Sequence, residues 1–389
     1  MISIRLVANS HRKVVLPTLR RQFSRSTAMH GSCPASYYRG GTSRAVFFQP
    51  KDLPEDKSQW GSIFLGALGS PDSHGRQLDG MGGGISSLSK VCVVGPSEHK
   101  DADVDYTFIA IGVKTTEVDF SSNCGNMTSA IGPFAVDSHL VKVDPESTSA
   151  TVRIHNTNTG KIIHAAFPVT NGAFEPRGDF QIDGVSGTAS KVKLDFVDPA
   201  GSRTGKLLPT GNSVDQFDGK RVTCVDVGNP CCFVQAVDLD VQGGLTPQQI
   251  EEHPTLLEQL DSIRRQAGVA MGLAALTSEV PASVPKICMV ASAGDTSDVD
   301  LKVRAISVGQ AHKAVPVTVA LSVAAASRLQ ESVVHQCLSA EPVDATGVTI
   351  GHASGKLMVD AKFGDDGSLY YASVLRTARR LMEGTIYWK

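Results

Sequence analysis

The chain has 389 residues, 41% hydrophobic and 20% charged, with a formal net charge of −2 at pH 7. That length allows two or three domains, and the near-neutral balance argues against a nucleic-acid binder working through a broad basic field. The longest weakly polar run, Ala314–Ala326, is too short for a bilayer crossing, which needs about 20 apolar residues. Taken in order, the first 50 residues stand apart: no Asp or Glu precedes Asp52, and Arg5, Arg12, Lys13, Arg20, Arg21 and Arg25 are interleaved with Leu, Val, Phe and Ser. That is the composition of a mitochondrial transit peptide. Residues 1–32 are therefore expected to direct the chain to the mitochondrial matrix, with a cytosolic form if translation starts at Met29.

A strand is expected near Ala35–Phe48, then a helix over Ser58–Leu68 and a polar loop over Gly69–Asp79. The glycine run Gly80–Lys90 leads into a β-branched strand, Val91–Val94, and Tyr106–Val113 alternates like another. Asn126–His139 is small and apolar and reads as a buried helix, although Pro133 counts against a regular one. Short strands between Ala150 and Phe196 alternate with turns such as Asn171-Gly172 and Asp183-Gly184. Gly201–Gly219 has linker composition. A second half repeats the logic, with strands at Val222–Val227 and Cys232–Val237 and a helix over Thr246–Met271 with Pro247 at its first position. Strands at Pro285–Ala291 and Asp300–Ile306 follow, then a small-residue helix, Val315–Arg328, and an Arg-rich helix, Ser373–Met382, at the end.

Each half thus carries one small apolar helix entered through a Gly-containing polar turn, Asn123–Asn126 in one and Gly309–His312 in the other. Such a helix is satisfied only inside a sheet that wraps it. Two facing helix N-termini would make an anion site, because free N–H groups and the positive end of each dipole converge there. A substrate rich in carboxylates is the expectation.

The motifs exclude several chemistries. The eight Cys include no C-x-x-C pair and no zinc spacing, and most sit in apolar runs, where a buried thiol is the ordinary reading. The glycine run Gly80-x-Gly82-x-x-Ile85 lacks the last Gly of a dinucleotide site and precedes a strand, and no P-loop is present. Ser87-Leu-Ser-Lys90 is an S-x-x-K, but the S-D-N and K-T-G motifs that accompany it in penicillin-binding enzymes are absent. Lys90 reads either as a solvated lysine at a strand start or as a partly desolvated amine serving as general base beside the glycine turn. Cys124 sits at a helix start, a position typical of reactive thiols, or is a buried structural Cys. Ser43, in the turn Tyr38-Arg-Gly-Gly-Thr-Ser43, is the third candidate.

Together these segments resemble the PrpF-type isomerases, a family that includes 2-methylaconitate isomerase, aconitate Δ-isomerase, methylitaconate isomerase and 4-oxalomesaconate tautomerase. The resemblance rests on Tyr38–Ser43, on Asp79-Gly-Met-Gly-Gly-Gly84 with Ser89-Lys90-Val91, and on Asn123-Cys-Gly-Asn126. It continues through Gly228-Asn-Pro230, Val303–Ser307 with His312, and Arg376–Gly384, in the family's order from about Pro34 onward. It implies an α/β, diaminopimelate-epimerase-like fold: two pseudo-symmetric domains, each a sheet rolled around a central helix, with the site in the cleft between them. The boundaries expected are 33–205, completed by 366–389, and 206–365.

The resemblance implies catalytic roles for Lys90, Cys124 and Ser43, with no cofactor and no metal. Substrate-binding residues are expected at Arg39, Gly41, Thr42, Ser86, Ser89, Gly125, Asn126, Met127, Asn229, His312, Ser354 and Gly355. The partner is a small unsaturated di- or tricarboxylate, not nucleic acid or membrane, and a homodimer is compatible with this reading. Arg44 stands where the family more often has Lys, and Ile85 replaces a frequently polar position; both bear on substrate choice. The reaction implied is an allylic proton shift, or a cis–trans change through the same dienolate. The alternatives are an amino-acid epimerase or racemase of the same fold and a non-catalytic carboxylate-binding protein. The epimerase is disfavoured because the second half offers His312, not Cys, near its helix start.

Overall fold

The computed structural model describes residues 31–389 apart from 121–122, 295–297, 308 and 346, so the expected transit segment lies almost wholly outside the described residues. The first half holds β1 (Gly31–Gly40), β2 (Ser43–Phe48), α1 (Trp60–Leu68), β3 (Lys90–Pro96), β4 (Val104–Ile111), β5 (Val118–Asp119), α2 (Gly125–Asp137), β6 (Ser149–Asn156), β7 (Lys161–Thr170), β8 (Ala173–Phe174) and β9 (Val192–Val197). The second holds β10 (Asp215–Phe217), β11 (Lys220–Asp226), β12 (Pro230–Gln235), α3 (Pro247–Glu251), α4 (Leu256–Ala270), β13 (Lys286–Ser292), β14 (Leu301–Ser307), β15 (Gln310–Ala311), α5 (Val317–Ser327), β16 (Val348–His352) and β17 (Gly355–Phe363). Two strands close the chain, β18 (Leu369–Arg376) and β19 (Ala378–Trp388).

The pairing repeats. β1–β2 is antiparallel, β2–β3 parallel, β3–β4 antiparallel, β4–β6 parallel, and β6–β7 and β7–β9 antiparallel. The same series runs through β11, β12, β13, β14, β16, β17 and β18. Each parallel step needs a crossover. One crossover in each half is an outer helix, α1 or the α3–α4 pair; the other is an inner helix, α2 or α5. β18 also pairs with β9, and β19 with β1, so hydrogen bonding is continuous between the two halves.

α2 and α5 are inner helices because they are apolar or small on every side. Met127–Val136 and Val319–Ser327 are buried throughout. Gly132 admits the Phe167 ring, since a Cβ there would lie 2.5 Å from Phe167 Cε1. The outer helices are one-sided: Phe64 and Leu68 of α1 cover Phe48, Val91 and Val93, while Leu260 and Ile263 of α4 cover Ile287 and Met289. This is the diaminopimelate-epimerase-like architecture, two pseudo-symmetric sheets each rolled around a helix. Among the described residues no helix is long and apolar enough to cross a membrane.

Four local expectations are corrected. Ala35–Phe48 is a hairpin, turned at Gly41 with φ +51°, a conformation Gly adopts without cost. Thr246–Met271 is two helices, because Pro254 cannot donate a backbone hydrogen bond and pushes the residue before it out of the helical region. Ser373–Met382 is strand: pairing of β18 with β9 and of β19 with β1 overrides the helix propensity of Ala, Arg, Leu and Met. α5 starts at Val317, so His312 lies just past β15 and ahead of the helix, not at its first turn.

Candidate active site

The two inner helices meet start to start. A Cβ on Gly125 would lie 2.5 Å from Val317 Cβ, so only glycine allows this approach. Neither N-cap residue, Cys124 for α2 or Pro316 for α5, provides a side-chain cap. The first-turn N–H groups, which have no intrahelical partner, are left open at a cleft of about 780 Å³ between the halves. Asn123, Cys124, Gly125 and Asn126 form one part of its wall, and Gly228, Asn229, His312, Pro316, Val317 and Thr318 another.

Cys124 is half-buried, and its carbonyl accepts from Thr128 N (3.1 Å) and Thr128 Oγ1 (3.2 Å). The turn before it is held by a chain of amides. Asn156 Nδ2 donates to Asn123 Oδ1 at 2.9 Å, and Asn156 Oδ1 accepts from Asn158 N and Thr159 N. Asn158 in turn bonds both backbone groups of Phe108 and the Phe120 carbonyl. Sequence reading missed Asn156 and Asn158; the signal available was the polar turn Asn156-Thr-Asn-Thr-Gly160 between two alternating strands.

Lys90 opens β3, and Cys92, two residues on, points to the same face. Cys92 is buried in the core that holds Met127 and Ala130, so Lys90 faces the α2 side of the sheet. Its Nζ lies 5.1 Å from the Phe108 ring centroid, off the cleft wall. Cys92 lies within electrostatic reach of both Cys124 and Lys90. The glycine run wraps Gln77, whose Oε1 accepts from Gly84 N at 2.9 Å and lies 2.6 Å from Ser89 Oγ. The loop thereby fixes the residue immediately before Lys90. Ser86 is exposed in the short 3-10 turn ahead of it.

The β1–β2 turn packs on the α2 start. Asn126 Nδ2 donates to Thr42 Oγ1 at 3.1 Å, and a Cβ on Gly41 would strike Asn126 Oδ1 and approach Arg376 Cδ. Ser43 is buried at the first position of β2. Arg39 uses its guanidinium structurally, donating to Gly41 O (3.0 Å), Thr377 O (3.1 Å) and Thr377 Oγ1 (2.8 Å). Arg376 is almost fully buried, its Nε and the Asn126 Oδ1 both lack hydrogen-bond partners among the described residues, and burial lowers the Arg376 pKa to about 10. Met127 is core. Ser354 donates to the Lys313 carbonyl, and Gly355 packs on Asp183.

Of the sequence candidates, the structure brings Cys124, Gly125, Asn126, Asn229 and His312 to the cleft wall. Gly41 and Thr42 sit behind Asn126. Lys90, Ser43, Arg39, Ser86, Ser89, Met127, Ser354 and Gly355 lie off the wall. A hollow of about 910 Å³ between α1, the 69–79 loop and the C-terminal residues holds none of them.

The cleft also has a cationic lining that sequence reading did not single out: Lys161, Arg203 and Lys286, with Asp119 as the acidic residue among the lining side chains. Arg203 is exposed on a firmly held loop. Buried Asp226 accepts from Arg203 N (2.8 Å), Thr204 N (2.8 Å), Thr204 Oγ1 (2.9 Å) and Ser202 Oγ. His312 is solvent-accessible, yet burial of its ring and then the neighbouring Lys286 ammonium lower its pKa. Uncapped helix starts and a lining of three cations to one acid give a field suited to a polycarboxylate. Among the described residues no group of three or more His, Cys, Asp or Glu is placed to hold a metal ion.

A family model described as PrpF protein matches residues 31–389. The chain is 39% identical to a 3-methylitaconate isomerase of Eubacterium barkeri, over 91% of this chain and 96% of that one. It is 37% identical to a 2-methyl-aconitate isomerase of Cupriavidus necator, over 91% and 96%. Among solved structures, a methylitaconate-delta-isomerase superposes with a TM-score of 0.84 at 38% identity, covering 92% of this chain and 96% of that one.

Proposed function

The chain belongs to the PrpF family and is an isomerase, and we propose that it moves a double bond in a small unsaturated di- or tricarboxylate by an allylic proton shift. One observation carries this reading: two uncapped helix N-termini meet in a cationic cleft, with a thiol at one of them. The helix N–H groups receive substrate carboxylates. A base removes the weakly acidic γ-proton, and the dienolate's charge spreads onto a carboxylate already facing fixed donors, which lowers the barrier without reorganisation. An acid then reprotonates the α-carbon, or the dienolate rotates and the proton returns to the carbon it left.

We assign Lys90 as the general base and acid, from the α2-facing side of the sheet, where its Nζ lies over the Phe108 ring. Cys124, on the wall, is a second proton carrier or orients the substrate; Ser43 is the third catalytic candidate, and its neighbour Thr42 ties the β1–β2 turn to the same helix start by accepting from Asn126 Nδ2. Each step is a proton transfer, so the scheme needs no cofactor. A two-thiol epimerase reading is weaker still with Pro316, not Cys, as the N-cap of α5.

Incubation of the purified protein with trans-aconitate, 2-methylaconitate, methylitaconate and oxalomesaconate, followed by NMR of the vinyl and methylene signals, tests the reading. Interconversion of at least one is expected; inertness toward all four would favour the carboxylate-binding alternative. We also propose delivery to the mitochondrial matrix by residues 1–32. A fluorescent protein fused behind them should enter mitochondria, and a diffuse cytosolic signal would point to Met29 as the working start.

A further inference from the structure

The repeat in the pairing series extends to the residues at the cleft. β3 begins Lys90-Val-Cys-Val-Val94 and β13 begins Lys286-Ile-Cys-Met-Val290. Each strand is parallel to the strand before it in its series and antiparallel to the one after. Each is preceded by a 3-10 turn, Ser86–Leu88 and Thr277–Glu279. Cys92 and Cys288 are both fully buried in the main core, so alternation aims the lysine two residues earlier at the same, helix-facing side in each half. Lys286 therefore holds the place in the second half that Lys90 holds in the first.

The copies differ in what they face. Lys90 lies over Phe108, whereas Lys286 lines the cleft itself with His312, Asn229 and Cys124. Lys286 is half-buried, and its ammonium has no hydrogen bond or ion pair among the described residues. An ammonium that lines the cleft without an acidic partner among the described residues offers an unneutralised charge to an anionic ligand. The lowered pKa of His312 keeps that neighbour neutral near pH 7, so it adds no second charge.

We propose that Lys286 is a second substrate-contacting lysine, a catalytic residue that holds the carboxylate conjugated to the migrating double bond and stabilises the dienolate's charge from the wall formed by the second half. The assignment rests on the isomerase reading. No bond forms to Lys286: the base takes the C–H proton, the electron pair delocalises onto the carboxylate facing the ammonium, and the pair returns to carbon when the proton does.

The test uses the full chain with Lys286→Gln and Lys286→Arg, circular dichroism to confirm folding, steady-state turnover, and calorimetric binding of propane-1,2,3-tricarboxylate as an inert probe. Lys286→Gln should lower kcat about a hundredfold, the order expected for losing one charge stabiliser of the transition state, and weaken probe binding about tenfold. Lys286→Arg should restore probe binding and bring kcat to within about tenfold of wild type, because a charge, not a transferable proton, is what is required. Should Lys286→Gln fail to fold, Lys286→Met serves in its place. A neutral variant with kcat and probe binding within about threefold of wild type would overturn the proposal. Weakened probe binding in a protein that isomerises none of the four candidates would support Lys286 as a carboxylate holder while sinking the isomerase reading.

Discussion

Gly125 shows how one missing side chain shapes the site. Replacing it with Ala would place a methyl 2.5 Å from Val317 Cβ, forcing the helix starts apart. Gly125→Ala should cost about 1–3 kcal/mol of stability and at least tenfold in turnover, read by denaturant melts and steady-state rates. A variant with unchanged turnover would mean that close approach of the helices is not needed. Lys90→Ala should abolish turnover with the fold intact, whereas Cys124→Ser, which keeps a hydrogen-bonding group at the helix start, should lose less; the reverse order would exchange the two roles. His352 sets a pH limit on stability. Burial lowers its pKa from 6.5 to about 4, opposed by Asp183 and reinforced by Arg376 and Arg304. The unfolded chain therefore binds the proton more readily than the folded one, and stability should fall as pH drops from 6.5 towards 4. His352→Gln should flatten that part of a melting-temperature profile; an identical slope would assign the loss to other groups. Cys124 could be picked out in the sequence because a thiol at a helix start stands where the dipole favours thiolate, whereas Asn126 and Asn229 are reached only through the family resemblance. Lys286 and Arg203 could not be picked out, because an isolated cation at a strand end or in a loop looks the same whether it faces water or a cleft.

Two of the elements that sequence reading placed well, the inner helices, are buried uniformly along their length. α2 and α5 are apolar on all sides, so their character does not depend on a partner. The C-terminal strands are the opposite case. Arg376–Gly384 has helix-favouring composition, and only long-range pairing with β1 and β9 makes it strand. Arg39 ties that corner together through its bonds to Gly41 and Thr377. Arg39→Ala should therefore destabilise the protein by about 1–3 kcal/mol, the cost of leaving partly buried carbonyls unpaired. Unfolding curves that coincide with wild type would show that the corner holds without it.

Across the molecule, the family resemblance carried by the order of motifs implied two rolled sheets, but the register of the repeat was not readable from it. The echo between Lys90-Val-Cys and Lys286-Ile-Cys is too short to stand out among 389 residues. It acquires meaning when the pairing series sets the two strands in equivalent places. The most direct measurement is deuterium uptake by a turned-over substrate, followed by NMR in D₂O after exhaustive EDTA treatment and dialysis. Proton transfer between carbons flanking a carboxylate-stabilised dienolate predicts label at the allylic position of the product, an undiminished rate without added metal, and no uptake with Lys90→Ala. Uptake that vanishes with EDTA and returns with one divalent cation, or isomerisation with no exchange at any allylic carbon and full activity in Lys90→Ala, would contradict it.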